Sequence, residues 1–232
     1  MEALILILIV LAIVIYRRKK KKSRKPQQNN VEVSSQPIRI EIELPKTRAI
    51  YARQFFQCNV MDYVAFDTET TGVNVTEDRI VEIAAVRVRK GKPVKTFTTL
   101  VNPGCQIPES ASSVNHITNK MIAKAPNTSA ALKKFFEFAE NDILVGHNAA
   151  RFDGPLLMAE ADRCGISFSN NFSDSLIMAK IYYPFLKSKR LESVCEHVGH
   201  KQKKAHRALD DSESVVAIVE AMRNEYKKNP NA

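Results

Sequence analysis

The chain has 232 residues, 44% of them apolar and 26% charged, with a formal net charge of +10. A domain of about 170 residues buries a substantial core. The four cysteines, Cys58, Cys105, Cys164 and Cys195, fall singly, which excludes a disulfide scaffold and a cysteine-based metal site and reads as free thiols in a reducing compartment. Residues 17–25 carry eight positive charges and Glu2 one negative charge, so residues 26–232 retain only +3 and form a mildly basic domain.

Residues 3–16, ALILILIVLAIVIY, are an unbroken apolar run, followed at once by RRKKKKSRK. Fourteen helical residues reach about 21 Å against a hydrocarbon core of about 30 Å, so the run is expected to be a short transmembrane anchor (1–16) with a basic juxtamembrane flank (17–25). Charge before the apolar run marks a cleaved secretory signal, and here the order is reversed. The positive-inside rule then predicts a single-pass protein with its catalytic domain in the cytoplasm and membrane contact through residues 3–16 and the basic flank. Residues 26–58 are expected to be a linker, polar at first and alternating over 38–44. Residues 59–232 form the domain.

Within it, the periodicity predicts strands at 61–67, 79–90, 93–101 and 143–147, and helices at 112–124, 128–139, 152–164, 174–183, 189–198 and 207–227. Three strands followed by alternating helices and a further buried strand indicate an α/β layered fold with a mixed central sheet.

Three short motifs carry chemistry. Asp67 and Glu69 follow the apolar Val64-Ala65-Phe66 and precede Thr70-Thr71-Gly72, which reads as a buried strand ending in a tight turn. Alternation along a strand sends both carboxylates to one side, where they repel unless a cation sits between them. Hard oxygen donors of this kind suit Mg²⁺ or Mn²⁺. Asp153 opens a helical stretch after the apolar Ile143–Val145 run. His206 and Asp211 lie about 500° apart on a regular helix, so Asp211 is expected on the helix and His206 on the irregular segment before it.

Taken together, these motifs resemble the DEDD (DnaQ-like) 3′→5′ exonucleases, similar to the exonuclease domain of the polymerase III epsilon subunit, over residues 60–226. The tyrosine branch of that family carries Tyr four residues before the last Asp; that position is Arg207, so the chain resembles the histidine branch. The runs RIVEIAAVRV (79–88), NPGCQIPESASSVNHITNKMI (102–122) and SDSLIMAK (173–180) add to the likeness. Two departures are visible: Asn115-His116-Ile117-Thr118 where relatives often read His-Gly-Ile-Thr, and Ser212 where Ala is usual.

The resemblance implies a ribonuclease H-like fold and two divalent metal ions held by Asp67, Glu69, Asp153 and Asp211, with His206 as general base. Two-metal hydrolysis would release nucleoside 5′-monophosphates from a nucleic-acid 3′ end, single-stranded DNA being the expected substrate. Thr70, Thr71 and Gly72 would grip the terminal nucleotide, with Asn148 and Phe152 as walls; Phe152 reads equally as a core aromatic. A local patch of Lys187, Lys189, Arg190, Lys201, Lys203, Lys204 and Arg207 would draw in the substrate. Other readings are an exoribonuclease or oligoribonuclease of the same family, a binding module without catalysis, and a proofreading subunit. The last is disfavoured as an expectation, because few residues follow the final predicted helix, where proofreading relatives carry a docking tail.

Overall fold

The computed structural model describes residues 52–203 and 206–230. Its centre is a five-stranded sheet of β1 (Tyr63–Thr70), β2 (Ile80–Arg89), β3 (Lys92–Leu100), β4 (Leu144–Gly146) and β5 (Phe172–Asp174), in the order β3-β2-β1-β4-β5. β1 and β2 pair antiparallel, as do β2 and β3, whereas β4 and β5 join in parallel. The sheet is therefore mixed, as the sequence predicts. The helices are α1 (Ala52–Gln57), α2 (Glu109–Asn115), α3 (Asn119–Ile122), α4 (Thr128–Ala139), α5 (Asp153–Arg163), α6 (Ser175–Tyr182), α7 (Leu191–Val198) and α8 (Ala208–Lys228).

Strand alternation divides β1 between two cores. Tyr63 and Ala65, with their ladder partners Val88 and Val86, pack with α1, α6, α7 and α8 residues such as Phe55, Met178, Val194, Val215 and Val219. Val64 and Phe66 face the other way, onto Leu132 and Phe135 of α4 and Leu156 and Leu157 of α5. Continuing that alternation decides the site: Asp67 and Glu69 lie on the α8 side, and Thr68 on the α5 side.

Three expectations change. The helix predicted over 112–124 is two short helices, because His116 takes a left-handed backbone (φ 59°) and closes α2, and Thr118 then caps α3 by accepting the Met121 amide. β5 is a fully buried strand of three residues, too short to produce a readable alternation. α1 falls in the stretch read as linker, where Phe55 and Phe56 are buried against the domain and Phe55 meets Tyr63 edge to face at 5.5 Å.

The membrane-anchored, cytoplasm-facing placement is corrected. Among the described residues, no helix is long and apolar enough to cross a membrane. The longest, α8, has 21 residues but carries Asp210, Asp211, Glu213, Glu220, Arg223, Glu225, Lys227 and Lys228. The apolar run 3–16, on which that expectation rested, lies outside the described residues, as do the basic flank and most of the linker.

Candidate active site

The C-terminal end of β1 carries Asp67 and Glu69, and α8 brings Asp211 against them. Carboxylate oxygens of these three residues lie within 4.8 Å of one another. Asp153 stands at the start of α5, buried, and its Oδ1 accepts a 2.6 Å hydrogen bond from Thr68 Oγ1. The strand alternation that sends Asp67 and Glu69 toward α8 thus sends Thr68 toward the fourth carboxylate. Asp153 is close enough to weigh electrostatically on both Asp67 and Glu69.

Four acids so close disfavour full ionisation in the absence of a cation. Burial first, then Asp153, Asp211, Glu69 and Glu82, hold the Asp67 carboxyl well above the usual carboxylate range. Glu69 is pushed up to about 8, by burial first and then by Asp211, Glu82 and Asp153, with Arg207 pulling the other way. Burial lifts Asp211 to about 6 against the opposing pull of His206, and Asp153 to about 6 against the Thr68 hydrogen bond. A cluster of oxygen donors with raised proton affinity is what a divalent cation relieves, so these residues fit a metal-binding role.

His206 stands on the irregular segment before α8, as expected, with a left-handed backbone (φ 61°). Its amide donates to Asp211 Oδ2 at 3.1 Å, and its exposed ring sits 4.0 Å from Glu192. Asp211 Oδ1 accepts from the Gln202 side chain at 2.7 Å. Gln202, His206 and Asp211, with Arg190, Leu191 and Glu192, line a cleft of ≈ 390 Å³, so the cleft reaches the carboxylate cluster at Asp211.

The turn after β1 is pinned from within. Thr70 Oγ1 donates to Gly72 O at 2.5 Å, Thr71 Oγ1 to Asp78 Oδ1 at 2.7 Å, and the Asn74 amide to Asp78 Oδ2 at 2.8 Å. Asn148 is half-buried with φ 70°, in a turn whose Asn148 and Ala150 amides both donate to Asp174 at 3.0 Å. Phe152 is half-buried and packs against the core between the sheet and α4–α5.

Two of the expected capture cations are committed elsewhere. Arg207 forks onto Glu82 at 2.6 and 3.0 Å, and Lys189 Nζ donates to the carbonyls of Pro184 and Leu186. Lys203 pairs with Glu213 at 3.2 Å, while Lys187, Arg190 and Lys201 are exposed and Lys204 lies outside the described residues. His147 bonds Ser175 Oγ and the Lys189 carbonyl, which ties the segment before α7 to the end of β4.

Three residues around the site had escaped the sequence reading. Glu82 was visible as a lone carboxylate inside the apolar run of β2, and Asp174 as an N-cap aspartate ahead of an apolar helix, accepting the Leu176 and Ile177 amides. Gln202 had no signal, being a polar residue on an irregular segment.

A carboxylate cluster at the end of a mixed sheet, with Asp211 brought against it by a helix, is a candidate nuclease site. The RNase_T exonuclease family model matches residues 64–219, and the chain belongs to that exonuclease family. It is 36% identical over 167 residues to a PolC-type DNA polymerase III of Clostridium perfringens, covering 72% of this chain and 11% of that one. It is also 35% identical over 169 residues to the DNA polymerase III subunit epsilon of Treponema pallidum, covering 72% and 78% respectively. The chain thus spans about a ninth of the PolC-type relatives it matches. Among solved structures, E. coli exonuclease I in complex with a dT13 oligonucleotide shares the fold, with a TM-score of 0.64 at 18% identity over 72% of this chain and 42% of that one.

Proposed function

We propose that the domain is a metal-dependent 3′→5′ exonuclease that shortens nucleic acid, foremost single-stranded DNA, and releases nucleoside 5′-monophosphates. The observation that carries this reading is the convergence of Asp67, Glu69 and Asp211 within 4.8 Å, beside Asp153 and below a cleft lined by His206. Held by these four carboxylates, two Mg²⁺ or Mn²⁺ ions would supply water activation and stabilisation of charge on the leaving oxygen. His206 reaches solvent at the cleft, where its ring can take the proton of the attacking water. The pinned turn at Thr70, Thr71 and Gly72 presents backbone groups to the terminal nucleotide. Asn148 shapes the opposite wall, and Phe152, already packed into the core, supports that wall more than it offers a free stacking face. Single-stranded DNA as the substrate is supported by the oligonucleotide bound in the exonuclease I structure of like fold.

A second reading places the same chemistry beside a polymerase as proofreading, and the Treponema epsilon subunit, matched over 78% of its length, favours it.

The test is degradation of 3′-labelled single-stranded DNA, RNA and duplex by the full chain, with Mg²⁺, Mn²⁺ or EDTA. The expected result is stepwise shortening from the 3′ end that stops in EDTA and in Asp67→Ala, and slows roughly 10² to 10⁴-fold in His206→Ala. Near-normal activity of Asp67→Ala in excess metal would reject the site. Faster removal of a mispaired 3′ nucleotide than of a paired one would favour the proofreading reading.

A further inference from the structure

The register of β1 on β2 sets Glu69 directly opposite Glu82. Like charges at such a position oppose sheet formation, yet Glu82 is only 2% exposed. Both of its oxygens are engaged: Oε1 accepts from Arg207 Nη2 at 2.6 Å, and Oε2 from Arg207 Nε at 3.0 Å and from the Ala208 amide at 3.2 Å. Ala208 is the first residue of α8, whose N-terminus has no side-chain cap of its own. Glu82 therefore caps α8 from the neighbouring strand, satisfying one of the amides that every helix start leaves without an intrahelical partner.

The clamped residues stand between two groups of the site. His206 immediately precedes Arg207, Asp211 lies one helical turn beyond it, and the Asp211 amide donates to the Arg207 carbonyl at 3.1 Å. His206 N and Asp211 Oδ2 close the loop at 3.1 Å. Ser212 Oγ adds a second tether, to Ala84 O on β2 at 3.2 Å.

We propose that Glu82 and Arg207 form a positioning clamp that sets where His206 and Asp211 stand against Asp67 and Glu69. Neither side chain is asked to touch substrate. The proposal rests on the exonuclease reading of the site. It assigns Arg207 to the fold of the site and removes it from the substrate-capturing patch.

The experiment compares the full chain with Arg207→Met, Arg207→Lys, Glu82→Gln and the double variant Glu82→Gln/Arg207→Met. Hydrogen exchange is read over residues 206–211, and kcat and KM are measured on a 3′-labelled single-stranded oligonucleotide. Removing an outer partner of a metal-site ligand typically costs 10- to 100-fold, so Arg207→Met is expected to lose roughly that factor in kcat with KM little changed. Exchange over 206–211 should quicken, Arg207→Lys should recover part of the loss, and the double variant should be no worse than the poorer single one.

Wild-type kcat in folded Arg207→Met, a loss confined to KM, multiplicative losses in the double variant, or unchanged exchange would each overturn the clamp. Should Glu82→Gln fail to fold, Arg207→Met decides alone, because it removes the same fork from a side chain that is 35% exposed. An inactive wild-type protein would defeat the exonuclease reading by itself, and hydrogen exchange would still decide the clamp.

Discussion

Thr68 Oγ1 donates to Asp153 Oδ1 at 2.6 Å across 85 residues of chain, joining the strand that carries Asp67 and Glu69 to the helix that carries Asp153. Both groups are buried, so the hydroxyl has no water to replace it. The bond also lowers the proton affinity of Asp153 against the effect of burial.

Thr68→Val is expected to cost about 1–3 kcal/mol, the usual penalty for leaving a buried acceptor without its donor. It should also lower exonuclease turnover roughly 10- to 100-fold by freeing the Asp153 carboxylate. Thermal unfolding and single-turnover rates measure the two effects separately. Wild-type turnover with only a lowered Tm would show that the hydroxyl is structural and that Asp153 needs no orienting.

The acidic cluster makes the metal-free protein sensitive to pH. In the folded state Glu69 keeps its proton until about pH 8, and Asp153 and Asp211 keep theirs until about pH 6, whereas the unfolded chain releases them near pH 4. Between those limits the folded state binds more protons, so this part of the stability is full below about pH 4 and is lost as pH rises, to about 8 for Glu69. In EDTA, Glu69→Gln should therefore raise Tm relative to wild type more at pH 8.5 than at pH 5, and Mg²⁺ or Mn²⁺ should restore the wild type at pH 8.5. An equal Tm difference at both pH values would refute the coupling.

The turn after β1 leaves no room for a side chain at Gly72. A Cβ there would stand 2.5 Å from Asp78 Oδ2, and that carboxylate is held in place by Thr71 Oγ1 and the Asn74 amide. Gly72→Ala should force the carboxylate aside, lower stability by roughly 1–3 kcal/mol as overpacking does, and raise KM more than it lowers kcat. Denaturant titration and steady-state kinetics give both numbers. An unchanged KM would mean that this turn does not hold the nucleotide.

The local patterns in the chain determined much of this protein. Alternation in Val64–Glu69 announced a strand with two carboxylates on one side, and the apolar periodicity of α4 placed that helix at 128–139 in both sequence and structure. These signals were readable because period-2 and period-3.6 patterns arise from backbone geometry within a few residues. The same holds for His206 lying before the helix that carries Asp211, since five residues do not fit one helical face.

Only the tertiary structure decided which groups meet. The pairing of Glu82 with Arg207 spans 125 residues, and the hold of Asp174 on the Asn148–Ala150 turn depends on β5, a strand of three residues. No local period encodes such partners: each is chosen by strand register, by burial that makes an unpaired charge costly, and by the angle at which a helix crosses the sheet. For the same reason Arg207 looked in the sequence like one more surface cation, and only its two-pronged pairing with the buried Glu82 of β2 showed it to be committed.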